Sequence, residues 1–166
     1  MAKLNQKNYC VVETNKITAV KSGPIIAQYE LSDALKVTGV QNGMLLGVDH
    51  AAKKVVLASG STQDVYLHAS EEQVYESYQG REHFILKAPK LPRLFALRKD
   101  DVFETDAVEM NSLTATTGVL AVVGTDGFIK LQAAGYVYTA DVKVMAAEPV
   151  TLPNGKPGFK FTVIKG

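Results

Sequence analysis

Residues 119–131 read Val119-Leu120-Ala121-Val122-Val123, then Gly124-Thr125-Asp126-Gly127, then Phe128-Ile129-Lys130-Leu131. Two apolar, β-rich runs on either side of an Asp-Gly pair predict a hairpin, because both turn positions need a conformation that Asp tolerates and glycine adopts freely. Downstream, Tyr136, Tyr138, Ala140, Val142 and Val144 share one face while Thr139, Asp141 and Lys143 fall on the other, the period of a half-buried strand. Leu152-Pro153-Asn154-Gly155-Lys156 then turns the chain, and Phe159, Phe161 and Val163 alternate with Lys160 and Thr162.

The same grammar extends towards the N-terminus. Tyr9 to Val12 is a short apolar run, and Ser22-Gly23-Pro24 reads as a turn ahead of a strand over 25–29. Asn42-Gly43, between Val40 and Met44-Leu45-Leu46, is a hairpin signal. Asp49 to Lys54 is a polar turn before Val55-Val56-Leu57-Ala58, and Val65 to Ala69 is a further strand. One helix is expected, over 71–75, where Ser70-Glu71-Glu72-Gln73 fits a capping box. Lys16 to Val20 carries no such cap and reads as loop or strand. Closely spaced strands with Gly, Asn and Asp turns argue against βαβ units. The expected fold is mainly β, with antiparallel hairpins forming a small barrel or sandwich. The whole of 1–166 forms one β-rich domain, or two lobes meeting near the proline-containing segment 87–93.

Composition narrows the function. A hydrophobic share of 46% with 21% charged residues belongs to a chain that folds around a core. The net charge of +1 weakens a nucleic-acid reading, since domains that track phosphates are strongly basic. The one cysteine, Cys10, excludes an internal disulfide and sits in an apolar run, so a buried thiol is expected. Nothing approaches the ~18 consecutive apolar residues of a membrane helix. The N-terminus has no signal-peptide apolar stretch, which suggests synthesis and retention in a cytoplasm.

Chemistry-bearing motifs are missing. No G-x-S-x-G elbow occurs, and Gly155-Lys156 runs into proline without the earlier glycine of a phosphate loop. His50, His68 and His83 show no metal-ligand spacing and read as structural. Ser59-Gly60-Ser61-Thr62 reads as a plain loop, and Asp100-Asp101 as a solvated turn. The expectation is therefore a protein that is not an enzyme, with no catalytic residue, cofactor or metal. One charge feature stands out: Lys87, Lys90, Arg93, Arg98 and Lys99 place five cations in thirteen residues with no acid among them.

Two passages resemble a known family. Tyr66-Leu67-His68-Ala69-Ser70-Glu71-Glu72-Gln73-Val74-Tyr75-Glu76 resembles a strand, Ala-Ser and acidic-turn passage of the small head proteins of tailed bacteriophages. Pro92-Arg93-Leu94-Phe95-Ala96-Leu97-Arg98-Lys99-Asp100-Asp101-Val102-Phe103 resembles their R-x-F-x-L-x-K-G-D-hydrophobic-F passage, with Asp100 where that pattern commonly has glycine. Pro157 to Ile164 is similar to their terminal strand. The resemblance implies a capsid decoration (cement) protein on the outside of an icosahedral phage head, with the major capsid protein and symmetric copies of itself as partners. From composition, no membrane partner is expected and the near-neutral charge weighs against nucleic acid. Location in the virion, at the capsid surface, follows from the same resemblance. Lys3, Lys7, Lys87, Lys90 and Arg93 are the candidate capsid contacts, chosen for their extended, cationic segments. The alternative is a phage tail, baseplate or surface-adhesion module binding protein or glycan, with Tyr75 and Tyr78 lining a groove.

Overall fold

The hairpin predicted over 119–131 is present in the computed structural model, as β9 (Val119–Val123) and β10 (Ile129–Leu131), with Gly127 at φ +83° in the turn. The structure describes residues 9–19, 25–58, 64–70, 84–110, 113, 119–133, 135–137 and 143–165. The helix expected over 71–75 lies outside them, as do Lys3, Lys7, Tyr75, Tyr78, His83 and the 59–62 loop.

The fold is mainly β, built from two six-stranded sheets. The first contains β1 (Ile25–Ile26), β2 (Glu30–Leu31), β3 (Leu45–Asp49), β4 (Lys54–Leu57), β5 (Tyr66–His68) and β6 (Leu94–Ala96). Their order is β1-β6-β5-β3-β4-β2, antiparallel except where β2 runs parallel to β4. The second contains β7 (Val102–Thr105), β8 (Val108–Glu109), β9, β10, β11 (Val144–Thr151) and β12 (Pro157–Lys165), ordered β7-β12-β11-β9-β10-β8.

The long β11–β12 hairpin follows its sequence closely. Phe159, Phe161 and Val163 are fully buried, whereas Lys160 and Thr162 are half-buried. The strand expected to start at Tyr136 begins only at Val144. Tyr136 and Val137 are non-strand and exposed, and residues 138–142 are outside the description.

Both sheets contribute to one core. Leu45, Leu67 and Phe95 from the first meet Phe103, Ile129, Met145, Phe159 and Phe161 from the second. The opposite face of the first sheet is covered too, by a second cluster in which Leu46, Tyr66 and Leu94 pack with Leu31, Leu35, Phe84 and Leu86. Leu35 comes from α1 (Asp33–Thr38), a helix that the sequence reading missed. Its signals are short but present: Ser32 at the N-cap, Asp33 in the first turn, and Gly39 at φ +74° after the last turn.

Three expectations are corrected. Asn42-Gly43 is a turn but does not close a hairpin. Val40 pairs with Leu86, and β3 pairs with β4 and β5. Gly43 (φ +85°) instead lies against the second sheet, where an added Cβ would stand 2.0 Å from Thr105 Oγ1. The turn residue is thus chosen by close approach as well as by backbone conformation. Thr14–Lys16 forms a single 3₁₀ turn and Ala19 is helical, so the loop-or-strand reading of 16–20 fails at both, while Val20 lies outside the described residues. Asp101 is buried, not solvated: its carboxylate accepts from Arg98 N–H (2.7 Å) and Thr18 Oγ1–H (2.9 Å). Segment 87–93 lies between β5 and β6, paired strands of the same sheet, and the chain passes to the second sheet at Leu97–Asp101.

Candidate contact surface and the His68 cluster

The segment holding Lys87, Lys90 and Arg93 leaves the sheet just after the Val40–Leu86 bridge and rejoins it at β6. Between those fixed points Lys87 to Leu91 are exposed, Pro92 is buried and Arg93 is half-buried. A turn closed by Lys90 N–H to Lys87 O (3.1 Å) brings Lys87 and Lys90 onto one loop. A pocket of about 160 Å³ opens between this loop and the β2–α1 region, lined by Glu30, Leu31, Lys36, Pro89, Lys90 and Leu91.

The local charge is mixed. Lys36 lies 3.3 Å from Glu30 and 3.6 Å from Asp33, and Lys54 lies 3.4 Å from Asp33. The Lys54 ammonium is the main cause that holds the Asp33 carboxyl below its usual range, and the Glu30 hydrogen bond raises Lys36. These pairs are exposed, so they set the pattern of the surface more than its stability.

Arg93 has a different role from the two lysines. Its guanidinium lies 5.3 Å from the centroid of Phe95, a cation–π contact. Its backbone N–H and C=O bind Ser70 Oγ and Ala69 N. Arg98 and Lys99 lie beyond the far end of β6, in the turn before β7. The five cations therefore do not form one patch. Lys87 and Lys90 share a loop, Arg93 packs on an aromatic ring, and the other two sit at the junction between sheets. The sequence reading missed Lys36, Glu30 and Asp33, whose place beside the loop depends on the parallel β2–β4 pairing.

At its end the segment ties into a buried polar cluster through Arg93. His68 is fully buried on β5, with Nδ1 2.8 Å from Gln41 O and Nε2 2.8 Å from Ser70 Oγ. Gln41 O can only accept, so the neutral ring carries its proton on Nδ1, and the Ser70 hydroxyl donates to the bare Nε2 while its oxygen accepts the Arg93 N–H at 3.0 Å. His68 is thereby fixed as the tautomer that donates from Nδ1 to Gln41 O. Asn42 completes the cluster: its side chain accepts from Ser70 N–H (2.9 Å) and donates to Ser70 O (3.2 Å). Burial pushes the imidazole down to about 4, opposed by the Gln41 carbonyl.

A serine beside a histidine is also the opening geometry of a nucleophile and its base. Here the serine oxygen is covered and already bonded to Arg93, and so weak an imidazole is a poor base near neutrality. The cluster joins three chain segments. Cys10 is buried, as expected. His50 is exposed and meets the Tyr29 hydroxyl at 3.2 Å. Among the described residues, no three His, Cys, Asp or Glu side chains are grouped to hold a metal, and no helix is long and apolar enough to cross a membrane.

The architecture defines a two-sheet β protein with an exposed loop bearing Lys87 and Lys90, whose segment is tied at Arg93 to a buried polar cluster. No family model, curated protein or solved structure matches the chain.

Proposed function

We propose that the protein is a virion structural protein of a tailed bacteriophage, a decoration protein that binds the outer surface of the assembled head through the 87–91 loop. The observation that carries this reading is the loop itself. Lys87, Pro89, Lys90 and Leu91 stand exposed beside a small pocket, on a sheet buried on both faces. A contact of that size is weak alone, and a lattice of symmetric copies makes it strong by avidity. Binding the shell and not its free subunits would stabilise the shell by mass action.

The resemblance of 66–76 and 92–103 to small head proteins supports the same reading. Its one local departure is informative. Asp100, where the related passage commonly has glycine, adopts φ +70°, the region glycine favours.

The test is density-gradient fractionation of phage particles from the source, with quantitative mass spectrometry. Hundreds of copies per DNA-filled head, near parity with the major shell protein, is the expected result. A few dozen copies would move the protein to the tail or baseplate, and its absence from particles would overturn the proposal. At residue level, Lys87→Glu with Lys90→Glu should weaken head binding at least tenfold with an unchanged fold. Arg93 is left in place because it packs over Phe95.

A further inference from the structure

We infer that His68 is an acid-released latch that holds the 41–43 turn and the start of β6 onto β5. The latch is the hydrogen-bond chain from Gln41 O through His68 and Ser70 Oγ to the Arg93 N–H, braced by Asn42 on both sides of Ser70. Every donor and acceptor in that chain is matched only while the ring is neutral. A proton on Nε2 turns the acceptor into a donor that faces the Ser70 hydroxyl. Ser70 would then accept from both His68 and Arg93 and lose the acceptor for its own proton.

Among the described residues, the surroundings offer no compensation for a buried cation. On β3 the neighbours are apolar, and its one acid, Asp49, is exposed at the far end. On β6 the cross-strand partner is Leu94, and Arg93 lays its cation over Phe95, which faces the other cluster. On β5 the phenol of Tyr66 is neutral, held up chiefly by burial, and Asp64 lies exposed outside the strand. From the N-terminal segment, Cys10 donates its backbone N–H to the Gln41 side chain, and the Asp106 carboxylate is engaged by Val11 N–H. Among the described residues no carboxylate reaches the ring.

The sign follows from linkage. With the latch closed the ring stays neutral down to about 4. Once it opens, the ring takes a proton at its ordinary value of about 6.5. Closure is therefore unaffected above about pH 6.5, weakens roughly tenfold per pH unit below it, and stops weakening near the closed-state value. Release would free the tether at Arg93 that ends the exposed loop and the turn that sets Gly43 on Thr105.

Amide hydrogen exchange on the full chain, corrected for intrinsic rates, tests it at about pH 7.5 and about pH 5. Opening at Arg93, Ser70 and Gly43 should be about thirty-fold more frequent at the lower pH, while Phe161 in β12 keeps its protection. His68→Gln should remove the difference. Parallel loss in both sheets, no change at Arg93, or an undiminished response in His68→Gln would each overturn the latch. If His68→Gln does not fold, the comparison between the two sheets in the native chain still decides.

Discussion

Strands β3 and β12 show two ways of using the same pleat. In β12 the inward residues Phe159, Phe161 and Val163 are buried, and the alternate positions Lys160, Thr162 and Ile164 see solvent to different degrees. In β3 the neighbours Leu45 and Leu46 are both fully buried, one in each core cluster. A strand with one wet face announces itself by alternation, whereas a strand covered on both faces reads as a continuous apolar run. The second sheet is thus a wall of the core, and the first is a partition between two cores. Substitutions should follow that difference.

The largest effect is expected at Phe161. Truncation to alanine removes a ring stacked 5.4 Å from Phe103 and 5.9 Å from Phe159, and should cost about 4 kcal/mol in urea or thermal unfolding. Thr162→Ala, one residue along on the other face, should stay within about 0.5 kcal/mol. Comparable costs at both positions would mean that the outer face of β12 is covered as well. On β3 the expectation reverses: Leu45→Ala and Leu46→Ala should each cost about 3 kcal/mol. If Leu46→Ala were nearly neutral, the far face of the first sheet would be no core, and the partition description would fail.

This contrast also explains what the sequence revealed. The 119–131 hairpin and the β11–β12 hairpin were legible because each carries both a turn pair and an alternating face. In the first sheet the β3–β4 hairpin was legible from its polar turn over 49–54, but the rest of the topology was not. Val40-to-Leu46 carries an Asn-Gly pair, yet its partners are Leu86 and β5, set by contacts distant in sequence. Helix α1 was missed because six residues hold too little periodicity to register, leaving only Ser32 and Gly39 as punctuation. At the candidate surface, Lys87 and Lys90 were found from charge spacing. Arg93 was grouped with them because a sequence cannot show that its guanidinium lies over Phe95. The sequence placed His68 in an apolar strand but could not show the cluster around it, since Gln41 lies 27 residues from His68 and Asn42 lies 28 residues from Ser70, which it binds.

The joint between the sheets offers a smaller test. Gly43→Ala forces a Cβ against Thr105 Oγ1, which donates to Val11 O and accepts from Ala107 N–H. Strain at φ +85° and the displaced hydroxyl together should cost about 2 kcal/mol. The loss should fall in both sheets alike by hydrogen exchange. A loss confined to one sheet would show that they unfold separately.

The smallest expected effect is a gain. Asp100 is exposed at φ +70° in the turn where the chain crosses from the first sheet to the second, and its N–H donates to Val163 O at 2.8 Å. Glycine keeps that bond and relieves the left-handed backbone. The gain is trimmed because aspartate tolerates this region better than most residues and because glycine adds freedom to the unfolded chain. Asp100→Gly should therefore stabilise by about 0.5 kcal/mol, read as a higher urea midpoint with an unchanged slope. Asp101→Ala is its counterpart, since it removes the carboxylate that binds Arg98 N–H and the Thr18 hydroxyl and should destabilise. If Asp100→Gly also destabilised, the exposed carboxylate would have a partner of its own, and the crossing turn would be held by two acids instead of one.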